Sequence, residues 1–351
     1  MKDVAPTIAD WLKQGRQVAL STVIKTWGSS PRKVGANMAV DAEGNIVGSV
    51  SGGCVEGAVV ELSQSVLADG PSQKVHFGVS DETAWGVGLA CGGEIDVFVE
   101  SLDPGHFSFV EQAIEAELPV ATLTITEGPE PWLGRKLTVR GNQGEEVLAD
   151  WEDDCIPDRA LEIAKDAIRT SRSGSHMLVA EEGTEPELEV FVEVVPPPPS
   201  LIMVGGVHIS VALAEFAKVL GYRTVVVDPR RAFGTPERFP EVDQLITSWP
   251  EEAFEGLALN TGTAIAVLTH DPKIDDPALM IALPSPAFYV GVLGSRRTHE
   301  KRLARLREAG LEEDLLDRLH APIGLDIGAK SPEEIALSVL AEIIKVRRTG
   351  V

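Results

Sequence analysis

Four consecutive prolines, Pro196 to Pro199, constrain this chain more than any other feature. Proline has no N–H to give to a sheet ladder, and a run of four favours a stiff polyproline stretch that neither a helix nor a sheet can absorb. At 351 residues the chain is too long for one ordinary core, so a division is expected in any case. The prolines place it: a domain over 1–195, a linker over 196–199 and a second domain over 200–351.

The two halves carry different patterns. Upstream, the runs QVALSTVIKTW, NMAVD, NIVGSV, GEIDVFVES, VATLTITE and LEVFVEVV read as strands. Helical patterns near 56–69, 107–116 and 157–170 interrupt them, which predicts a mixed α+β domain with no sequence repeat visible. Downstream, strand and helix alternate. LIMVGG is a buried strand, HISVALAEFAKVLG an amphipathic helix closed by Gly221, and RTVVVD, AIAVLTH and FYVGVLG are further strands. The helices THEKRLARLREAG and SPEEIALSVLAEIIKVRR follow, the latter opened by Ser331 as cap, Pro332 in the first turn and Glu334 three residues after the cap. The fold class expected is α/β: a mixed N-terminal domain followed by a Rossmann-like, doubly wound parallel sheet.

Glycine-rich turns concentrate the chemistry. In the second domain, VGGVHIS follows a strand and opens a helix, and Asp228 ends the next strand where a ribose-binding acid would lie. Gly205 stands as the first fingerprint glycine, but Val207 occupies the second position and Ser210 the third, so a nucleotide site and a structural turn both stay open. At the carboxyl ends of the same strands the sequence places Gly206, His208, Arg230, Arg231, His270, Asp271, Ser295, Arg296 and Arg297, and paired arginines after a Gly-Ser turn suit an anion. In the first domain, TWGSSPRKVGANM, GSVSGGCVEG and GLACGGEIDVF form three such turns. The second sets Cys54 after Ser51, Gly52 and Gly53, and the third sets Cys91 before Gly92 and Gly93. Such turns aim backbone N–H groups at anions, while a thiol adds a soft metal ligand or a nucleophile. The bland alternative for either cysteine is a small buried hydrophobe.

The formal net charge of −23 opposes nucleic acid and anionic membrane surfaces, so an anionic ligand would need local glycine turns and arginines to hold it. Three cysteines, with Cys155 in an acidic loop, make no disulfide framework and no C-x-x-C zinc spacing. The early acidic residue and missing apolar segment near Met1 do not read as a signal peptide, and no run has transmembrane length. A reducing cytoplasm is the expected setting.

The blocks GSSPRKVGANMAV, GSVSGGCVEGAV, CGGEIDVFVE, VGVLGSRRTHEKRLARL and IGLDIGAKSPEEIALSVLAEII resemble, in order, the XdhC/CoxI family of accessory proteins for molybdenum hydroxylases. The resemblance spans about Trp27 to Arg347. It implies a chaperone that binds a molybdopterin-type molybdenum cofactor, keeps it during exchange of an oxo for a sulfido ligand, and delivers it to an apo-hydroxylase of the xanthine dehydrogenase type. A cysteine desulfurase is a further implied partner, and a homodimer the expected assembly. Under this reading Ser51, Gly52, Gly53, Cys54, Cys91, Gly92, Gly93, Gly205, Gly206, His208, Asp228, Ser295, Arg296 and Arg297 contact the cofactor, Cys54 and Cys91 reach its metal end, and no residue is assigned a catalytic role. Family members usually carry G-A-G-H where this chain has Gly205-Gly206-Val207-His208, which weakens the rival reading of an NAD(P)-dependent oxidoreductase. A pure docking adaptor with structural glycine loops is the other rival.

Overall fold

A computed structural model describes residues 1–30, 32–78, 93–130, 132–151, 158–178 and 188–349. The chain forms two compact units, Met1–Pro196 and Pro197–Val351.

The first unit is one supersecondary pattern used twice. Its first half runs α1 (Ala5–Lys13), β1 (Val18–Trp27), β2 (Asn37–Asp41), β3 (Ile46–Gly48), α2 (Glu56–Leu67), β4 (Gln73–Phe77) and β5 (Glu94–Ser101). The second runs α3 (Pro104–Glu115), β6 (Val120–Glu127), β7 (Lys136–Arg140), β8 (Glu146–Ala149), α4 (Asp158–Thr170), β9 (Gly174–Leu178) and β10 (Leu188–Val195). Each half builds a five-stranded antiparallel sheet, ordered β3-β2-β1-β5-β4 and β8-β7-β6-β10-β9. The correspondence extends to detail. β1 carries a bulge at Ile24 against β5, and β6 carries one at Thr126 against β10, at the same offset from each strand's first residue. Gly35 donates to the Val23 carbonyl at 2.8 Å, as Gly134 does to that of Ile125 at 2.9 Å. The expectation of no repeat is therefore corrected: the repeat lies in topology, because alternating strand patterns of any identity satisfy the same pleat.

Each sheet covers one face with its own helix. Val55, Val59, Leu62 and Val66 of the α2 region pack on Val23, Met38, Val97 and Val99, while Ala160, Ala164, Ala167 and Ile168 of α4 pack on Leu123, Leu137, Val139 and Val190. The remaining faces meet, with Ile24, Phe98 and Phe191 packed together. This seam is partly polar. Lys136 donates to Glu100 at 2.5 Å and Asn37 donates to Glu193 at 3.3 Å, two contacts that exchange equivalent positions of the halves. A cavity of about 40 Å³ lies between the sheets beside Glu100, Lys136, Phe98 and Phe191, room for two or three waters.

The second unit is a six-stranded parallel sheet of β11 (Ser200–Val204), β12 (Arg223–Val227), β13 (Gln244–Ile246), β14 (Thr263–Val267), β15 (Tyr289–Val292) and β16 (Leu319–His320). The order β13-β12-β11-β14-β15-β16 is the doubly wound dinucleotide-fold order, as expected from the alternation. Along β11, Ile202 and Val204 face one core and Leu201 and Met203 the other. Helices α6 (Pro250–Glu255), α7 (Pro272–Ala282), α8 (Arg296–Glu308) and α9 (Glu313–Leu316) supply the first layer. Helices α5 (His208–Val219) and α10 (Pro332–Thr349) supply the second. At the start of α10, Glu334 accepts from Lys330 and Ser331 N–H, and its own N–H donates to Ser331 Oγ at 3.2 Å, the capping box read from the sequence. Two boundaries differ from expectation. α3 begins at Pro104, where Asp103 caps the His106 N–H, and α8 begins at Arg296, where Ser295 caps Thr298. The short strands β13 and β16 carried no legible pattern, since two or three residues show no periodicity.

Candidate functional site

The turn from β3 to α2 already holds an anion, and that anion is Glu56. One carboxylate oxygen accepts from Ser49 Oγ at 2.6 Å and Ser51 N–H at 2.9 Å; the other accepts from Ser51 Oγ at 2.5 Å and Gly53 N–H at 2.8 Å. Partial burial alone would raise this carboxyl, but the Ser49 and Ser51 donors outweigh burial and hold it at about 2. The other turn amides are also engaged. Gly52 donates to Ser49 Oγ, and Cys54 and Val55 donate to Ser51 Oγ at 2.9 and 3.0 Å. Gly52 and Gly53 take φ of +78° and +119°, values that side chains rarely adopt, so the glycines serve the wrap around Glu56. An incoming phosphate would have to displace that carboxylate.

Cys54 sits half-buried at the rim of this cradle, just before α2, packed on the core that Val50 and Val55 share. The register places its neighbours. Trp27 pairs with Glu94, and Gly48 with Met38, so the segments after β1 and β3 and before β5 leave the sheet at one end. A Cβ on Gly93 would lie 2.7 Å from the Ser29 carbonyl, so the first and third glycine segments touch there. His76 stands at that end too, hydrogen bonded to Asp96 at 2.7 Å and edge-on to the exposed Trp27 ring. Cys91 and Gly92, expected to complete this group, lie outside the described residues, as does Cys155. Among the described residues no group of three or more His, Cys, Asp or Glu could hold a metal ion.

In the second unit the Gly205 turn is self-contained as well. Gly205 takes φ +113°, and Ser210 Oγ donates to its carbonyl at 2.5 Å. Asp228, expected as a ribose acid, is fully buried; it accepts from Gly206 N–H at 2.7 Å and from Arg230 Nε and Nη2 at 2.9 and 2.7 Å. Burial would raise its carboxyl, and Arg230 and the Gly206 amide hold it below the ordinary range instead. A Cβ on Gly206 would meet the Phe233 carbonyl at 2.4 Å, so this glycine admits a protein loop to the backbone. Gly206→Ala is expected to cost about 1–3 kcal/mol by overpacking; unchanged chemical denaturation would refute the contact. His208, Ser295, Arg296 and Arg297 are exposed, and His270 follows β14 with a left-handed φ of +65°.

Sequence reasoning missed the groups that organise both regions. Glu56 was legible only as the acidic first residue of a helix after S-G-G-C-V. Arg302 shares a helical stripe with His299 and Leu306, a signal that a buried face includes it. Glu100 and Lys136 alternate with apolar neighbours like any outward-facing strand residues.

Comparisons with known proteins agree with this architecture. Residues 11–78 match the model described as XdhC and CoxI family, and residues 201–343 the model described as XdhC Rossmann domain. A Bacillus subtilis protein named as a probable xanthine dehydrogenase subunit is 29% identical over 342 residues, covering 96% of this chain and 95% of that protein. The molybdenum cofactor insertion chaperone PaoD of Escherichia coli is 27% identical over 337 residues, covering 96% of this chain and 85% of its own. A crystal structure described as a xanthine dehydrogenase from Bacillus halodurans superposes with a TM-score of 0.59 at 25% identity, covering 98% of this chain and 96% of that one.

Proposed function

Because the chain belongs to the XdhC and CoxI family, we propose that it is a maturation chaperone that takes a molybdopterin-type molybdenum cofactor as cargo, shields it during sulfuration and hands it to an apo molybdenum hydroxylase of the xanthine dehydrogenase type. The observation that carries this reading is similarity along 96% of the chain to a protein named as a molybdenum cofactor insertion chaperone. The geometry supports a division of labour. Cys54 presents a soft thiol on a turn locked from behind by Glu56, which suits the metal–sulfur end of the cargo. With every amide of 51–55 engaged, the phosphate end is better served elsewhere. In this reading the domain over 1–195 receives the metal end through Ser51, Gly52, Gly53, Cys54, Cys91, Gly92 and Gly93. The domain over 200–351, after the 196–199 linker, offers the exposed His208, Ser295, Arg296 and Arg297, while Gly205, Gly206 and the buried Asp228 hold their own turn together rather than touch the cargo. A cysteine desulfurase, a homodimer and a cytoplasmic location belong to the same proposal. Among the described residues no helix is long and apolar enough to cross a membrane. The NAD(P)-dependent oxidoreductase reading gains no support, since Asp228 is spent on Arg230 and Gly206.

Purification from a host that makes molybdopterin tests the function. Wild type should retain molybdenum and pterin together and speed activation of the apo-hydroxylase; absence of both overturns the proposal. Cys54→Ser should fold with an unchanged melting temperature yet retain several-fold less molybdenum. Equal retention would remove the thiol from the site.

A further inference from the structure

Arg302 is 2% exposed, and two of its nitrogens go unused. Nη2 donates to Asp275 and to the Leu293 carbonyl, both at 3.2 Å, but Nε and Nη1 have no partner among the described residues. A buried guanidinium with idle donors is costly and calls for a ligand that completes it. Side chains on a helix lean toward its N-terminus, and Arg302 does so: Nη1 lies 3.4 Å from where a Cβ on Gly294 would stand, beside Thr298. The idle nitrogen therefore sits under the β15–α8 turn. Here the 13-residue α8 presents its positive end, capped by Ser295, with Arg296 and Arg297 exposed on its first turn. The His299 Nδ1 is likewise buried without a partner, and burial and the Arg302 charge lower that imidazole's affinity for a proton.

We propose that the β15–α8 turn is an oxyanion site with Arg302 as its buried base, taking a phosphate group, free or esterified. The charges of Arg302 and Asp275 cancel formally, so the cationic excess comes from Arg296, Arg297 and the helix end, which suits a group carrying close to two negative charges. The site is wired to the Gly205 turn. Asp275 also accepts from Thr269 Oγ1 at 2.5 Å, and Thr269 is the residue a Cβ on Gly205 would strike. An anion seated on Arg302 thus bears on the crest of β11, β14 and β15 together. The site belongs to the second unit alone and stands whether or not the protein carries molybdopterin.

The test titrates the full chain with inorganic phosphate and, separately, with adenosine monophosphate, read by calorimetry and by the Arg302 Nε–H resonance in ¹⁵N-labelled protein. That resonance is expected to shift on titration and to be absent in Arg302→Lys. The exposed double variant Arg296→Ala/Arg297→Ala should fold normally and bind the same probe about tenfold more weakly, which keeps the test decisive if Arg302→Lys does not fold. Tighter binding of the nucleotide supports an ester ligand, and equal binding supports free phosphate. No binding of either probe at millimolar concentration, an unmoved Nε–H resonance, or undiminished affinity in the double variant would each overturn the site.

Discussion

Lys136→Met is expected to destabilise the first unit by about 3–5 kcal/mol, because it strands Glu100 between two sheets without its cation. Both side chains are buried, and the Lys136 ammonium also reaches Thr124 Oγ1 at 3.2 Å. Burial pushes the Glu100 carboxyl up, and Lys136 offsets only part of that push. The single variant should therefore recover relative stability as pH falls, since a protonated Glu100 no longer needs the ammonium. Removing both charges with Lys136→Met/Glu100→Leu should restore stability to near wild type, because apolar groups of similar volume replace the pair without leaving a charge behind. Urea unfolding of the three proteins at pH 8 and pH 5 checks this. A single variant as stable as the double at pH 8 would show that water reaches Glu100 and that the seam is wet.

Glu56→Gln is the second large effect, and it acts on the candidate site itself. An amide in place of the carboxylate keeps one acceptor and turns an NH₂ toward the donors of Ser51 and Gly53. A carboxyl held at about 2, against 4.5 ordinarily, corresponds to about 3 kcal/mol, and to about 2 kcal/mol once solvent screening of a half-buried group is allowed for. Because the folded value lies below the unfolded one, this stabilisation is fully present above about pH 5 and disappears as pH falls toward 2. The wild-type minus variant difference in unfolding free energy should shrink over that window. Amide exchange at Gly53 and Cys54 should quicken in the variant at neutral pH, and cofactor retention should fall. A difference that stays constant from pH 7 to pH 2.5 would mean that the carboxylate is not what braces the turn.

The recognisable family blocks and the strand–helix alternation of the second unit were legible in the sequence because they are local. Period-two and period-3.6 patterns, a Ser-Pro-Glu-Glu helix start and glycine turns depend on a few neighbouring residues. The expected residues do follow the strands as read: His208 after β11, Asp228 after β12, His270 after β14 and Arg296 after β15. Their employment was not legible. Asp228 looks from the sequence like a free ribose acid, and only the packed loop shows Arg230 and Gly206 claiming it.

What the sequence by itself determined is the longer strands and helices, the strand–helix alternation of the second unit and the glycine turns, since each follows from local patterning, whereas β4, β7, β8, β9, β13, β16, α1, α6, α7 and α9 were not read from it. Only the tertiary structure decided which donors are spent and which are spare. The doubling of the first unit, the anion inside the Ser51–Cys54 turn and the unpaired nitrogens of Arg302 all join residues brought together by sheet register or helix packing. A hydrogen bond is satisfied or left open by geometry to within an ångström or less, and no spacing along a chain encodes that distance.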